Sequence, residues 1–195
     1  MKLLLYCTKA KPYLFNQNIY EFYDSKYITS THKFHEKQDY LLNGTIVAEC
    51  DFDVEDFDYI NPECLTHTYL DLLKKSCLTD KQMYDYLKGK NGKAIHIKNL
   101  HIFDKSKELS DYYTFNGIVN NVNNWKPVDK APQNMMYAYD LISELGFSGT
   151  YNRYLKKNIL ISIKPEWLCK ILNGEKTIEV RKKILKEMLK DELPF

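Results

Sequence analysis

Apolar residues in this chain fall into short runs and two-residue alternations more often than into long helical stripes. Lys2 to Thr8, KLLLYCT, is an apolar run followed by the turn-like KAKP and predicts a buried strand entering a loop. Phe15 to Gln38 is aromatic, polar and weakly periodic, and reads as a long loop with irregular hairpin content. After a turn signal at Asn43 and Gly44, Ile46, Ala48, Cys50 and Phe52 alternate with Val47, Glu49, Asp51 and Asp53, which predicts a strand with one buried and one acidic face. The acidic stretch from Glu49 to Glu63 reads as a solvated strand edge and loop.

Two segments carry a helical period, LTHTYLDLLKKSC and LTDKQMYDYLKGK. In the second, Thr79 or Asp80 can cap the first turn, Gly89 can end it, and Met83, Tyr86 and Leu87 share the inner face. KAIHIKNLHIF then predicts one strand with Ile95, Ile97 and Leu100 inward, and DKSKEL turns away. A polar, asparagine-rich loop covers Asp111 to Lys130, APQNMMYAYD is a strand candidate, YDLISELGF is expected to be a helix, and SGTYNRYLKKN a linker. The final third supplies strand, helix and strand over Ile159–Ile163, Glu166–Asn173 and Thr177–Val180. Pro165 suits the first helical turn, Gly174 suits the left-handed position after the last, and Trp167, Leu168, Ile171 and Leu172 form the apolar stripe between. KKILKEMLKDELPF closes the chain as a basic amphipathic helix or loop.

The 195 residues, 44% of them apolar, are enough for one domain with a real core. The formal net charge of +2 discriminates among no partners. Five cysteines, odd in number and without a close pair, argue against a disulfide framework or zinc site and fit a reducing, cytoplasmic setting. The start MKLLLYC lacks an export signal's long apolar core, and no run approaches the roughly 18 apolar residues of a membrane helix, so no membrane association is expected. His32, His35, His67, His96 and His101 form no ligand set, so no metal or cofactor is expected. Cys7 and Cys169 read as small core residues rather than nucleophiles.

The segment ILISIKPEWLCKILNGEKTIEVRK resembles the signature of the ASCH family of PUA-like β-barrels: an IKP strand end, a helix, then Gly-x-Lys-x-x-Glu-x-Arg at Gly174, Lys176, Glu179 and Arg181. YCTKAKPYL, NGTIVAECDFD, YLKGK with AIHIKNLHIFDKSKEL, and APQNMMYAY are similar to successive later segments of bacterial and phage members. The order differs, because ELPF ends this chain where that family runs from a Leu-Pro turn into the YCTK strand. The resemblance implies an α+β fold, a small mixed barrel surrounded by helices in circularly permuted order, as a single domain over 1–195. Residues 1–138 would form the later part of the barrel, 139–158 a connecting helix and linker, and 159–195 the signature. Joining ends that already lie close costs only a few kcal/mol. Truncated tandem copies that complete one another by swapping would leave the same sequence.

On a strand, Thr177, Glu179 and Arg181 share one face, with Lys176 at its start. They either fix the strand by a salt bridge or line a cleft, where cations hold phosphate and an aromatic stacks a base. The resemblance implies RNA or a nucleotide-like group as ligand, with Lys164, Lys176, Glu179 and Arg181 binding it, joined by Lys9 and Lys11 where the termini meet. From Tyr151 to Lys190 eleven basic residues face four acidic ones, either a phosphate-attracting patch or an ordinary solvated face. Trp167 is expected in the core rather than as a stacking platform. Other family members are hydrolases of RNA or of acetylated cytidine, which implies Lys176, Glu179 and Thr177 as acid–base groups; Glu179 stands here where the amidohydrolases place a threonine. A phage-derived inhibitor that binds a host protein is a third expectation.

Overall fold

The computed structural model describes residues 1–8, 44–115, 125–145 and 151–185, with the backbone alone for 141–145 and 151–155. Its elements are strands β1 (Lys2–Cys7), β2 (Ile46–Asp51) and β3 (Phe57–Ile60), helices α1 (His67–Ser76) and α2 (Asp80–Leu87), and strands β4 (Gly92–His96), β5 (Lys98–Lys107), β6 (Tyr112–Phe115), β7 (Trp125–Pro127), β8 (Met135–Leu145) and β9 (Tyr151–Ile163). Helix α3 (Pro165–Leu172) and strand β10 (Ile178–Arg181) complete them. The class is α+β. The described strands form two open sheets rather than a closed barrel: a mixed one ordered β5-β2-β1-β9-β8-β6-β7 and a smaller one ordered β10-β4-β3.

The two sheets separate where a single strand is expected. KAIHIKNLHIF divides into β4 and β5, which belong to different sheets, with Asn99 at φ 51° just past the break. β5 then continues through DKSK, where a turn is expected, and β3 forms inside the acidic stretch by pairing Phe57 with Ile95 and Ile60 with Gly92. A larger correction concerns 139–158. Of the expected helix YDLISELGF, Tyr139 to Leu145 is strand, and so is Tyr151 to Asn158 of the linker after it. β8 and β9 pair antiparallel from Met135↔Ile161 to Leu145↔Tyr151. Aromatic side chains at Tyr137 and Tyr139 favour this pleated pairing over a lone short helix.

β9 thereby becomes a central strand, and its last half lies parallel to β1 from Lys2↔Asn158 to Cys7↔Ile163. The start of the chain and the IKP segment are direct neighbours. One core joins Leu3, Leu5 and Cys7 to Ile159, Ile161 and Ile163 beneath Leu168, Ile171 and Leu172 of α3, with Ile184 and Leu185 in the same cluster. A second core on the opposite face of this sheet holds Leu4, Tyr6, Ile46, Tyr112, Ala138 and Leu160. A third lies between the small sheet and helices α1 and α2, around Ile60, Tyr69, Leu72, Met83, Leu87, Ala94, Ile178 and Val180. β1 is buried on both faces because cores meet it from both sides, as its unbroken apolar run predicts.

Local signals place several boundaries. Thr79 and Gln82 form a reciprocal capping box at the start of α2, and Lys88 and Gly89 end it in the left-handed region. Pro165 opens α3, and Gly174, at φ 75°, turns the chain toward β10. Lys9, Lys11, the Phe15–Gln38 loop, His32, His35 and the final basic segment from Lys186 lie outside the described residues.

Candidate functional site

After α3, the Gly174 turn places two successive amides, of Glu175 and Lys176, on the Lys170 carbonyl at 2.9 and 3.0 Å. This tight return fixes where Lys176 leaves the helix. β10 then pairs with β4 from Ile178↔His96 to Arg181↔Lys93. Strand alternation sends Ile178 and Val180 into the third core and leaves Glu179 and Arg181 on the opposite side.

That side is one wall of a cleft of about 340 Å³, bounded by α2 (Gln82, Asp85, Tyr86), the end of β9 (Ser162, Ile163), Lys164, Trp167, and β10 with Lys176. At its base Glu179 is shared between two cations. Its Oε2 lies 3.3 Å from Lys176 Nζ and its Oε1 lies 3.0 Å from Arg181 Nη2. The side chains of Lys176, Glu179 and Arg181 are only 3%, 10% and 11% exposed, so these are desolvated charges rather than a surface pair. Lys176 Nζ also donates to the Ser76 carbonyl at 3.0 Å, at the C-terminal end of α1 where the helix dipole favours a cation. Arg181 Nη2 donates to the Ser162 carbonyl at 2.7 Å. Three elements far apart in sequence, α1, β9 and β10, are thus fastened to one another through two cations.

With both carboxylate oxygens engaged, Glu179 holds the cations in place, and the triad keeps one net positive charge. Arg181 Nε is buried and has no hydrogen-bond acceptor among the described residues. Such a donor is costly to leave unmade. Trp167 packs against the core and also lines the cleft, with Lys170 and Lys176 ammonium groups 5.3 and 5.6 Å from its ring. The expected core position is therefore half of its role. Tyr86, expected on the buried face of α2, is instead 40% exposed and stands on the opposite wall. Burial of its hydroxyl raises the phenol's pKa above 10.0; the neighbouring Arg181 opposes that rise by its charge and by a side-chain hydrogen bond, and Glu179 adds to it.

Of the residues expected in a site, Lys164, Lys176, Glu179 and Arg181 converge on this cleft, Lys164 at an exposed rim position 4.0 Å from Glu166. Thr177 does not join them. It precedes the strand, is exposed, and its backbone bonds to Lys75 and Ile97. Gln82, Asp85, Tyr86 and the carbonyls of Ser76 and Ser162 are contributors that sequence reading missed. The first three follow i, i+3, i+4 spacing, a polar stripe beside Met83 and Leu87 that faces the cleft.

Other candidates stay structural. Burial pushes the Cys7 and Cys50 thiols from 9.0 up to about 12, which leaves them unreactive at neutral pH. His96 pairs with Asp58 at 3.2 Å and His101 with Glu49 at 3.8 Å, and no metal-binding cluster occurs among the described residues. No described helix is long and apolar enough to cross a membrane. No family model, curated protein or solved structure matches this chain.

Proposed function

We propose that the chain is an RNA-binding or modified-nucleotide-binding module of ASCH type in circularly permuted order, and that it holds its ligand in the cleft between α2, α3 and β10. The observation that carries this reading is the buried triad: two cations locked onto one carboxylate, a surplus positive charge, and an Arg181 Nε donor without an acceptor, between Trp167 and Tyr86. A phosphate or base carbonyl oxygen supplies the missing acceptor, and Trp167 offers an aromatic surface for a ring. The permuted order is supported by β1 lying beside β9 and by Ile184 and Leu185 sharing a core with Leu3 and Leu5.

The test is a titration of a nucleoside monophosphate, monitored by fluorescence, against the wild type and Arg181→Gln. Hydrogen bonds to charged groups contribute roughly 1.5–3 kcal/mol, so the variant binds about 10- to 100-fold more weakly when titrated at a temperature where circular dichroism shows it folded. Equal affinities in the two proteins overturn the reading, as does an absence of wild-type binding to nucleotides and RNA alike. A hydrolytic reading draws on the Lys176–Glu179 contact at 3.3 Å, the one place in the cleft where an acid–base pair is assembled. Chromatography after incubation with acetylcytidine or single-stranded RNA decides it, and the position of Thr177 outside the cleft weighs against the amide substrate.

A further inference from the structure

A row of aromatic rings lies at the far end of the large sheet, away from α3. Phe115 of β6 and Trp125 of β7 are directly paired across strands, with ring centroids 4.9 Å apart; Trp125 and Tyr139 of β8 are 4.5 Å apart, and Tyr139 and Tyr137 6.4 Å. Alternation along β8 puts Tyr137 and Tyr139 on the face of Met135, the same face as Ile161 and Leu5. Tyr137 is packed on the core, but Phe115, Trp125 and Tyr139 belong to none of the core clusters among the described residues. Phe115 is 39% exposed. Aromatic groups of this size normally carry a core, so a connected, partly exposed row outside one marks a contact surface.

The row ends on a cation. Lys157, exposed and paired with Tyr139 across β8 and β9, holds its Nζ 3.9 Å from the Tyr137 ring centroid. Lys156 beside it and Lys126 beside Trp125 alternate onto the opposite face of the sheet, so the row's cation is Lys157. Lys157 stands six residues, about 20 Å of strand, before Ile163 on the cleft wall, a span that a chain of several nucleotides bridges, while Ile159 and Ile161 between them are buried. Successive flat rings that end on a lysine match a polyanion whose units are themselves flat rings.

We propose that the Phe115–Trp125–Tyr139–Tyr137 row with Lys157 is a second binding surface, a stacking track for single-stranded nucleic acid about 20 Å along β9 from the cleft. It rests on the nucleotide reading of the cleft, and it makes the preferred ligand an oligonucleotide rather than a mononucleotide. Bases stack on Trp125 and Tyr139, and Lys157 neutralises one phosphate.

The chain's two tryptophans separate the sites, since Trp167 reports the cleft and Trp125 the track. Trp167→Phe and Trp125→Phe each leave one reporter, and the probes are uridine monophosphate and an oligouridine of about ten nucleotides, a length in the range of single-strand binding folds. The expected result is that the oligomer quenches both reporters and binds at least tenfold tighter than the monophosphate, which quenches Trp167 alone. Trp125→Ala lowers oligomer affinity about tenfold and leaves monophosphate affinity unchanged, and Lys157→Ala reduces the magnitude of the oligomer's log–log salt slope by about 0.7, the single-strand value for one phosphate. Should Trp125→Ala fold poorly, the Trp125 quench and the Lys157→Ala salt slope decide alone. Quenching of Trp167 by both probes with equal affinities and a silent Trp125 overturns the track while the cleft reading stands. Silence of both reporters toward both probes overturns both.

Discussion

Removing the Glu179 carboxylate is the perturbation whose effect the geometry specifies best. In Glu179→Ala, the Lys176 ammonium and the Arg181 guanidinium lose the group they share at 3.3 and 3.0 Å, and they face one another while almost fully buried. Breaking a buried ion pair by deleting one partner costs roughly 3–5 kcal/mol, because an uncompensated charge stays behind. Here two stay behind, but the cleft is open enough to admit water to one side, which places the expectation near the lower end, about 3 kcal/mol. For a chain of this size that corresponds to a melting temperature lower by about 10 °C. Urea and thermal unfolding followed by circular dichroism measure it directly. The same substitution in a Lys176→Met background leaves only one cation unpaired, and Arg181 keeps its bond to the Ser162 carbonyl, so the cost falls by at least about 1 kcal/mol through the coupling of neighbouring sites. A loss below about 1 kcal/mol for Glu179→Ala in the wild-type background, the range of exposed pairs, refutes the picture of a desolvated triad.

Two further outcomes follow from the cores. The Cys7 and Cys50 thiols titrate near 9.0 when unfolded and at about 12 when folded, so their contribution is constant below pH 9 and is lost as pH rises through the window from 9 to 12. Each costs about 1.4 kcal/mol per pH unit there, seen as a urea midpoint that is flat below about pH 9 and falls between about pH 9 and 10.5; a native-state thiol reagent meanwhile modifies the exposed Cys64 and spares both buried thiols. Gly92→Ala places a methyl group 2.6 and 2.9 Å from the two Cδ atoms of Leu87, itself 1% exposed and unable to swing aside. Thermal melts should show a loss of about 1–3 kcal/mol, and an unchanged midpoint means that the third core is looser than described.

The parts legible in the sequence are those determined within one turn or one alternation. Pro165 and Gly174 bracket α3, Thr79 with Gln82 starts α2, and the KLLLYC run is a strand buried on both faces. Each depends on a backbone donor, a φ angle or a run of apolar side chains that the chain supplies locally. The β8–β9 hairpin was not legible, because YDLISELGF carries a helical period over nine residues and only the partner strand tips it into a sheet. The division of KAIHIKNLHIF between two sheets is equally a matter of which strands await on either side. Within the site, Lys176, Glu179 and Arg181 were found because they sit within six residues on one short segment. Tyr86 and the carbonyls of Ser76 and Ser162 come from elements placed beside that segment only by folding, and backbone carbonyls leave no trace in residue type.

The central claim, that the triad-floored cleft receives a nucleotide unit, is tested most directly by photocrosslinking a short RNA carrying 4-thiouridine and mapping the adducts by mass spectrometry. The account predicts adducts within Pro165–Leu172 or Asp80–Leu87, the segments bearing Trp167 and Tyr86, and their disappearance in Arg181→Gln. Adducts that miss both segments, or that persist undiminished in that variant, would contradict it.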